Sequence, residues 1–242
     1  SIKIKNFEVN YYLTDHKKLL STNYTIPHII TTNEINSGSC QHSFNKKIIN
    51  IWRIEDILKT TLHEFIHALE LDNCKDDSDI VTHYQHKYNI SSNVVNTNES
   101  YTELMANLLN CFLISKTAVR IKESHRYKSF LNLLHLEKEF CHYQAHKILY
   151  LSNIKKSQPL DINQNTNTLS YFIIRDELFQ NLSLFLKQCR LNNTDYLVIN
   201  TKMWFNYILK NKIIKEKNNR FKNKRLLKFN VMKFNLLDLS CY

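Results

Sequence analysis

Glycine is nearly missing from this 242-residue chain. It occurs once, at Gly38, and proline occurs twice, at Pro27 and Pro159. A single glycine cannot build GxGxxG or GxxxxGK[ST], so the glycine-rich phosphate cradles of dinucleotide-binding and P-loop proteins are excluded. No run approaches the ~18 continuous apolar residues of a membrane-spanning helix. The opening SIKIKNFEVN alternates charged and apolar side chains and has no export-signal core, so secretion is not expected. The six cysteines (Cys40, Cys74, Cys111, Cys141, Cys189, Cys241) make no CxxC pair. Their wide, irregular spacing fits neither a disulfide framework nor a zinc ribbon, and reduced thiols in a cytoplasmic setting are expected.

Apolar residues supply 43% of the chain and aromatics 12%, enough for a folded core. The net charge of +11 is unevenly placed: Lys202 to Lys233 holds eleven Lys or Arg and one acid, Glu216. A solvated basic face is the plain reading of that stretch. The sharper one is a patch for a polyanion, either nucleic acid or an acidic protein tail, or for a membrane surface.

The pattern along the chain predicts an α+β fold with a small N-terminal sheet and a mainly helical C-terminal half. Period-two alternation marks Ile2 to Tyr11 as a strand with a possible bulge, and Lys47 to Arg53 as a second, compact strand. Asn33 to Phe44 reads as turns. From Ile54 the period becomes helical, with a broad apolar stripe to Leu69. Residues 72–97 read as a polar excursion. Helices are expected over 99–116, 126–152, 167–190 and 194–216, a surface connection over 155–167, and a strand or short helix over 226–239. The expected division is 1–152 as core and 153–242 as a helical part with a basic end, packed on it.

One segment carries chemistry. Thr61-Leu-His63-Glu64-Phe-Ile-His67-Ala68 reads HExxH on a helix. Residues i and i+4 share a face, so both imidazoles reach one ion, and the intervening glutamate lies beside the open coordination position as a general base. The chain's own His and Glu content gives about 0.02 chance matches, and the motif sits mid-helix among apolar residues. Neutral imidazoles suit Zn²⁺.

A catalytic zinc takes a third protein ligand and keeps one position open. The expected source is the helix Glu99-Ser-Tyr101-Thr-Glu103-Leu-Met105-Ala106-Asn107. Glu99 and Glu103 lie one turn apart on a polar line, opposite Tyr101, Met105, Leu108 and Phe112. Glu103 is the favoured ligand, with Ala106 small enough for close helix approach. Glu99 is the alternative; it also fits a capping box with Asn96, as Glu103 does with Ser100. Asp72 could orient a ligand histidine or simply end a helix. His142 and His146, one turn apart, read as partly exposed helix residues rather than a second metal site, and His83 and His86 as solvated.

His63, Glu64 and His67, followed by Glu103-x-x-Ala106, resemble the gluzincin type of zincin metallopeptidases. The segments 49–55, 63–72, 140–149 and 170–175 are also similar to zincin-like proteins of large DNA viruses, which implies host cytoplasm or virion as location. The resemblance implies a zincin-like catalytic domain, a peptide or protein substrate, and peptide-bond hydrolysis with Glu64 as base. It also implies an edge strand for extended substrate, here Lys47 to Arg53. Tyr171, or failing it Tyr101, would supply the oxyanion donor. Arg175, one turn past Tyr171, could grip a substrate carboxylate. The alternative reading is a non-catalytic polyanion-binding or virion structural protein with a vestigial site.

Overall fold

The computed structural model describes residues 6–20, 27–42, 46–72, 75–118, 122–152, 166–189 and Met232. The fold is α+β, built on a small mixed sheet. Strand β1 (Asn6–Thr14) runs parallel to β3 (Lys46–Arg53), and β2 (Gly38–His42) pairs antiparallel on the other side of β3, giving the order β1-β3-β2. The expected strand at Lys47–Arg53 is present, but it is the central strand and not an edge. A central strand has both rows of backbone groups paired and cannot accept a peptide. The edges are β1 and β2, the latter in a stretch expected to be turns; Gly-Ser-Cys-Gln-His carries almost no strand propensity. A short helix, α1 (Thr32–Ile35), precedes it. Ile2 and Ile4 lie outside the described residues.

The alternation of β3 decides how the layers stack. Lys47, Ile49, Ile51 and Arg53 are buried and the residues between them are not. Ile49 and Ile51 pack with Ile57, Phe65 and Ala68 of α2 (Ile57–Ala68). The helix begins after Asp56, whose φ of 57° breaks the helical path, so it starts three residues later than the apolar stripe suggests. Its other face, with Leu62 and Ile66, joins the main core. α2 is therefore held between the sheet and α4 (Thr97–Thr117).

The polar excursion contains a helix that the sequence pattern did not reveal, α3 (Ser78–Tyr88). Only Ile80 and Tyr84 are buried, a stripe one residue wide, too thin to register as amphipathic. It is fixed by its ends: the Asp77 carboxylate accepts from Ile80 N–H, and Asn89 closes it at φ 51°. α5 (Arg126–Leu151) spans the range expected for it. The helix expected over 167–190 is broken into a π-helical turn (Leu169–Ile174), α6 (Arg175–Gln180) and α7 (Leu182–Cys189). Leu169, Phe172, Ile174 and Phe185 share one core with Ile66, Leu104 and Ile148, so these later elements close over α4 and α5.

Of the C-terminal stretch only Met232 is described. It is buried, donating its N–H to Lys18 O and accepting from Gln144 at 2.7 Å. The basic Lys202–Lys233 patch, the 194–216 helix and the 226–239 element otherwise lie outside the described residues. Among the described residues no helix is long and apolar enough to cross a membrane, and Cys40, Cys111 and Cys141 are free thiols.

Candidate metal centre

The three HExxH residues occupy the middle of α2, where the sheet lies on one side and α4 on the other. His63 Nε2 and His67 Nε2 are 2.9 Å apart. Glu99 Oε2 of α4 stands 3.6 Å from the first and 3.3 Å from the second. Four ligands about 2.05 Å from a tetrahedral zinc would be about 3.3 Å from one another, so three of the vertices are approximated by these atoms. Glu99 Oε2 is also buried and makes no hydrogen bond. With two imidazole nitrogens and one carboxylate oxygen facing a common point, the donor set fits a divalent ion. Among the described residues, His63, His67 and Glu99 are the one group so arranged.

The expectation for Glu103 is revised by this geometry. Glu103 sits one turn further along α4, where Lys59 and Arg175 draw its Oε2 to 3.1 and 2.9 Å. Its Oε1 meets His63 at Nδ1, 3.1 Å away, on the ring edge remote from Glu99. Glu103 therefore backs a histidine and does not join the three-atom cluster. Glu99 is free to do so because it is not used as a cap. The first turn of α4 is capped from outside: Asp76 accepts from Thr97 N–H at 3.0 Å and from the Thr97 hydroxyl. Ser100 donates to Thr97 O, so neither capping box forms.

Asp72 has the orienting role. Its Oδ2 lies 2.6 Å from His67 Nδ1 and is also reached by Thr102 Oγ1 at 3.2 Å and Asn98 Nδ2 at 3.4 Å. His67 thus meets a carboxylate at Nδ1 by a hydrogen bond and His63 by ion-pair distance alone, and each keeps Nε2 for the cluster. That arrangement sets the tautomer and raises the basicity of the nitrogen that would bind metal.

Electrostatics follow the contacts. Burial pushes the His63 imidazole down, but Glu103 and Glu99 outweigh it and carry it up to about 9. Burial is likewise outweighed at His67, which Asp72 and Glu99 raise to about 10. Burial would lift Glu99, yet the facing rings of His63 and His67 bring it down to about 2. Burial raises Glu64 more than the two histidines lower it. Burial, reinforced by Glu99, holds the Tyr171 phenol far above its ordinary range, so it stays a donor.

Tyr171 sits in the π-helical turn with its ring centroid 6.0 Å from that of His63. Two asparagines in left-handed backbone, Asn96 (φ 58°) and Asn167 (φ 51°), are bonded to each other at 2.7 Å. They tie the start of the Glu99 helix to the turn that carries Tyr171, a link no local sequence pattern announced. Tyr101 is buried in the core and does not line the cleft beside the cluster. Arg175 is 2% exposed and engaged with Glu103 and Gln144, so it is not a free grip for a substrate carboxylate. His142 Nδ1 faces Asp176 Oδ2 at 2.9 Å, and His146 packs beside it.

An open cleft runs past the cluster, lined by Gly38, Ser39 and Cys40 of β2 and by His63, Glu64, His67 and Tyr171. The chain was compared with protein-family models, curated proteins and solved structures, and it matches none of them.

Proposed function

We propose that this chain is a zinc-dependent peptidase of the zincin kind. The observation that carries the reading is the convergence of His63 Nε2, His67 Nε2 and Glu99 Oε2, with each histidine backed by a carboxylate at its other nitrogen. An ion held there supplies Lewis acidity toward a carbonyl and toward water. Glu64 takes the proton from the attacking water and returns it to the leaving amine; its burial keeps it basic enough for the first transfer. The Tyr171 hydroxyl donates to the oxygen that gains charge. Extended substrate adds along β2, the edge strand lining the cleft, which fixes the scissile bond by main-chain hydrogen bonds. Glu103 and Asp72 hold the two imidazoles and touch no substrate.

Metal analysis of the purified protein with Glu64→Gln beside wild type tests the reading. The variant should keep one zinc per chain and lose about 10²- to 10⁴-fold in hydrolysis of a peptide library. Undiminished cleavage in the variant defeats the mechanism.

A further inference from the structure

Tyr171 owes its place beside the cluster to two stitches between neighbouring segments. Ser170, the residue before it, donates its hydroxyl to Val95 O at 2.5 Å, and Asn96 Nδ2 donates to Asn167 Oδ1 at 2.7 Å. Asn167 lies one turn ahead of Tyr171 and accepts its backbone N–H at 2.9 Å. Asn96 stands in a similar relation to the start of α4, where its carbonyl takes the Glu99 N–H at 3.0 Å. The segment that carries the phenol and the segment that carries the carboxylate of the cluster are thus joined at two points. Both asparagines are in left-handed backbone, which asparagine enters more readily than bulkier side chains do.

The second stitch also decides which way the Asn167 amide faces. Its oxygen is taken by Asn96, so its nitrogen is the group left for the Tyr171 phenol, and the Asn167 side chain hydrogen-bonds that phenol in the sense that treats its oxygen as an acceptor. A phenol has one proton to give. With Asn167 donating to the oxygen, that proton is not spent on the amide. An asparagine turned the other way would accept the proton and leave no donor for anything in the cleft that Tyr171 lines.

We infer that Asn167 is a positioning residue: fixed by Asn96, its amide nitrogen donates to the Tyr171 oxygen and so keeps the phenol proton for the substrate oxygen that gains charge. From Asn96 to Asn167 to Tyr171 to substrate runs a row of donors directed one way, each polarising the next. Asn167 touches no substrate and acts through Tyr171 alone, as a support that holds a reacting group in its productive orientation. The phrase "substrate oxygen" rests on the peptidase reading; the direction of the hydrogen bond between Asn167 and Tyr171 is measurable without it.

Asn167→Asp separates direction from structure. It keeps the size of the side chain, suits the left-handed backbone and still accepts from Asn96, but it offers the phenol an acceptor in place of a donor. The first measurement is nitrogen-15 NMR of the full chain. The Asn167 side-chain amide signals, assigned by their loss in Asn167→Asp, should shift in Tyr171→Phe, where their acceptor is gone; unmoved signals overturn the assignment. The second is kinetics on a peptide library with zinc content and melting temperature as checks. Zinc-loaded Asn167→Asp should lose about 10²- to 10³-fold in kcat with little change in KM, as Tyr171→Phe should. In the Tyr171→Phe background the same change should cost less than about threefold, because the proton it redirects is absent and only the added charge is read. Equal losses in the two backgrounds overturn the positioning role. A shifted amide with no peptide cleaved supports the donor direction and defeats the peptidase reading. Cleavage that Asn167→Asp does not slow keeps the peptidase reading and defeats the positioning role.

Discussion

Gly38 and Glu64 are in such close approach that no side chain fits between them: a Cβ at position 38 would stand 2.8 Å from Glu64 Oε1 and 2.8 Å from Thr60 Cγ2. Its backbone is not left-handed, so the need is for space and not for torsional freedom. The chain's single glycine therefore lets the edge strand pass directly over the proposed base. Gly38→Ala should push the Glu64 carboxylate aside. We expect zinc content to be unchanged, peptide hydrolysis to fall about tenfold or more, and stability to drop by roughly 1–3 kcal/mol from overpacking. Metal analysis, steady-state kinetics and a thermal melt on one preparation check all three.

Glu99 and Glu103 should respond differently to substitution. Glu99→Ala removes an oxygen of the cluster and should lower zinc affinity by several powers of ten; it also takes from the metal-free protein a carboxylate that both imidazoles face, so the chelated variant should melt below chelated wild type. Glu103→Gln leaves the cluster in place but loosens His63, for an expected 10- to 100-fold loss of affinity. It also strands Lys59 and Arg175 without their shared carboxylate, at a cost of about 3 kcal/mol in the folded state. Competition titration against a chelator and denaturant melts separate the two. The reverse pattern would return the ligand role to Glu103.

The part of the site that was legible in the sequence is the part set by local periodicity. Two histidines four residues apart on an apolar helix define their own geometry, and so do Glu99 and Glu103 as neighbours on one line. Which glutamate meets the imidazoles was not local. It depends on Lys59, Arg175 and Asp76, which hold Glu103 back and relieve Glu99 of capping, and these partners come from three other segments. The edge strand was missed for a related reason. Gly38–His42 has little strand propensity and is a strand because β3 offers it a ladder. Lys47–Arg53 has the strongest local pattern because both its sides are paired, and the resemblance that implies an edge strand carries no information on which strand pairs on one side only. α3 escaped notice because two buried residues and two caps suffice to hold it.

Tyr171 touches the site through its ring, set edge-on to His63, and burial keeps its hydroxyl protonated. Tyr171→Phe keeps the ring and removes the donor. Zinc affinity should be unaffected, and kcat should fall about 10²- to 10³-fold with little change in KM, as for other losses of an oxyanion donor. A purely structural role would instead leave kcat intact and lower the melting temperature. Tyr101→Phe, in the core, serves as the control and should leave kcat as it is.

Removal of metal should make stability and proton uptake depend on pH in a defined direction. In the metal-free chain His63 and His67 lie near 9 and 10, above the ordinary imidazole value of about 6.5. Groups raised in the folded state favour it fully below about pH 6.5, and that contribution is lost as pH climbs through 9 to 10. The chelated protein should therefore melt at progressively lower temperature from pH 7 to pH 10, while the zinc-loaded protein, its imidazoles already deprotonated, should not follow it. Glu99, brought down to about 2, is ionised throughout this range and releases nothing on binding. Two protonated Nε2 atoms cannot stand 2.9 Å apart, so the pair shares its charge, and zinc uptake at pH 7 to 8 should expel between one and two protons per ion, with affinity climbing about 10- to 100-fold per pH unit until pH 9 is approached. Calorimetry in two buffers of different ionisation heat counts those protons directly, and a count below one would mean that the two rings are not held by Glu103 and Asp72 in the way their distances imply.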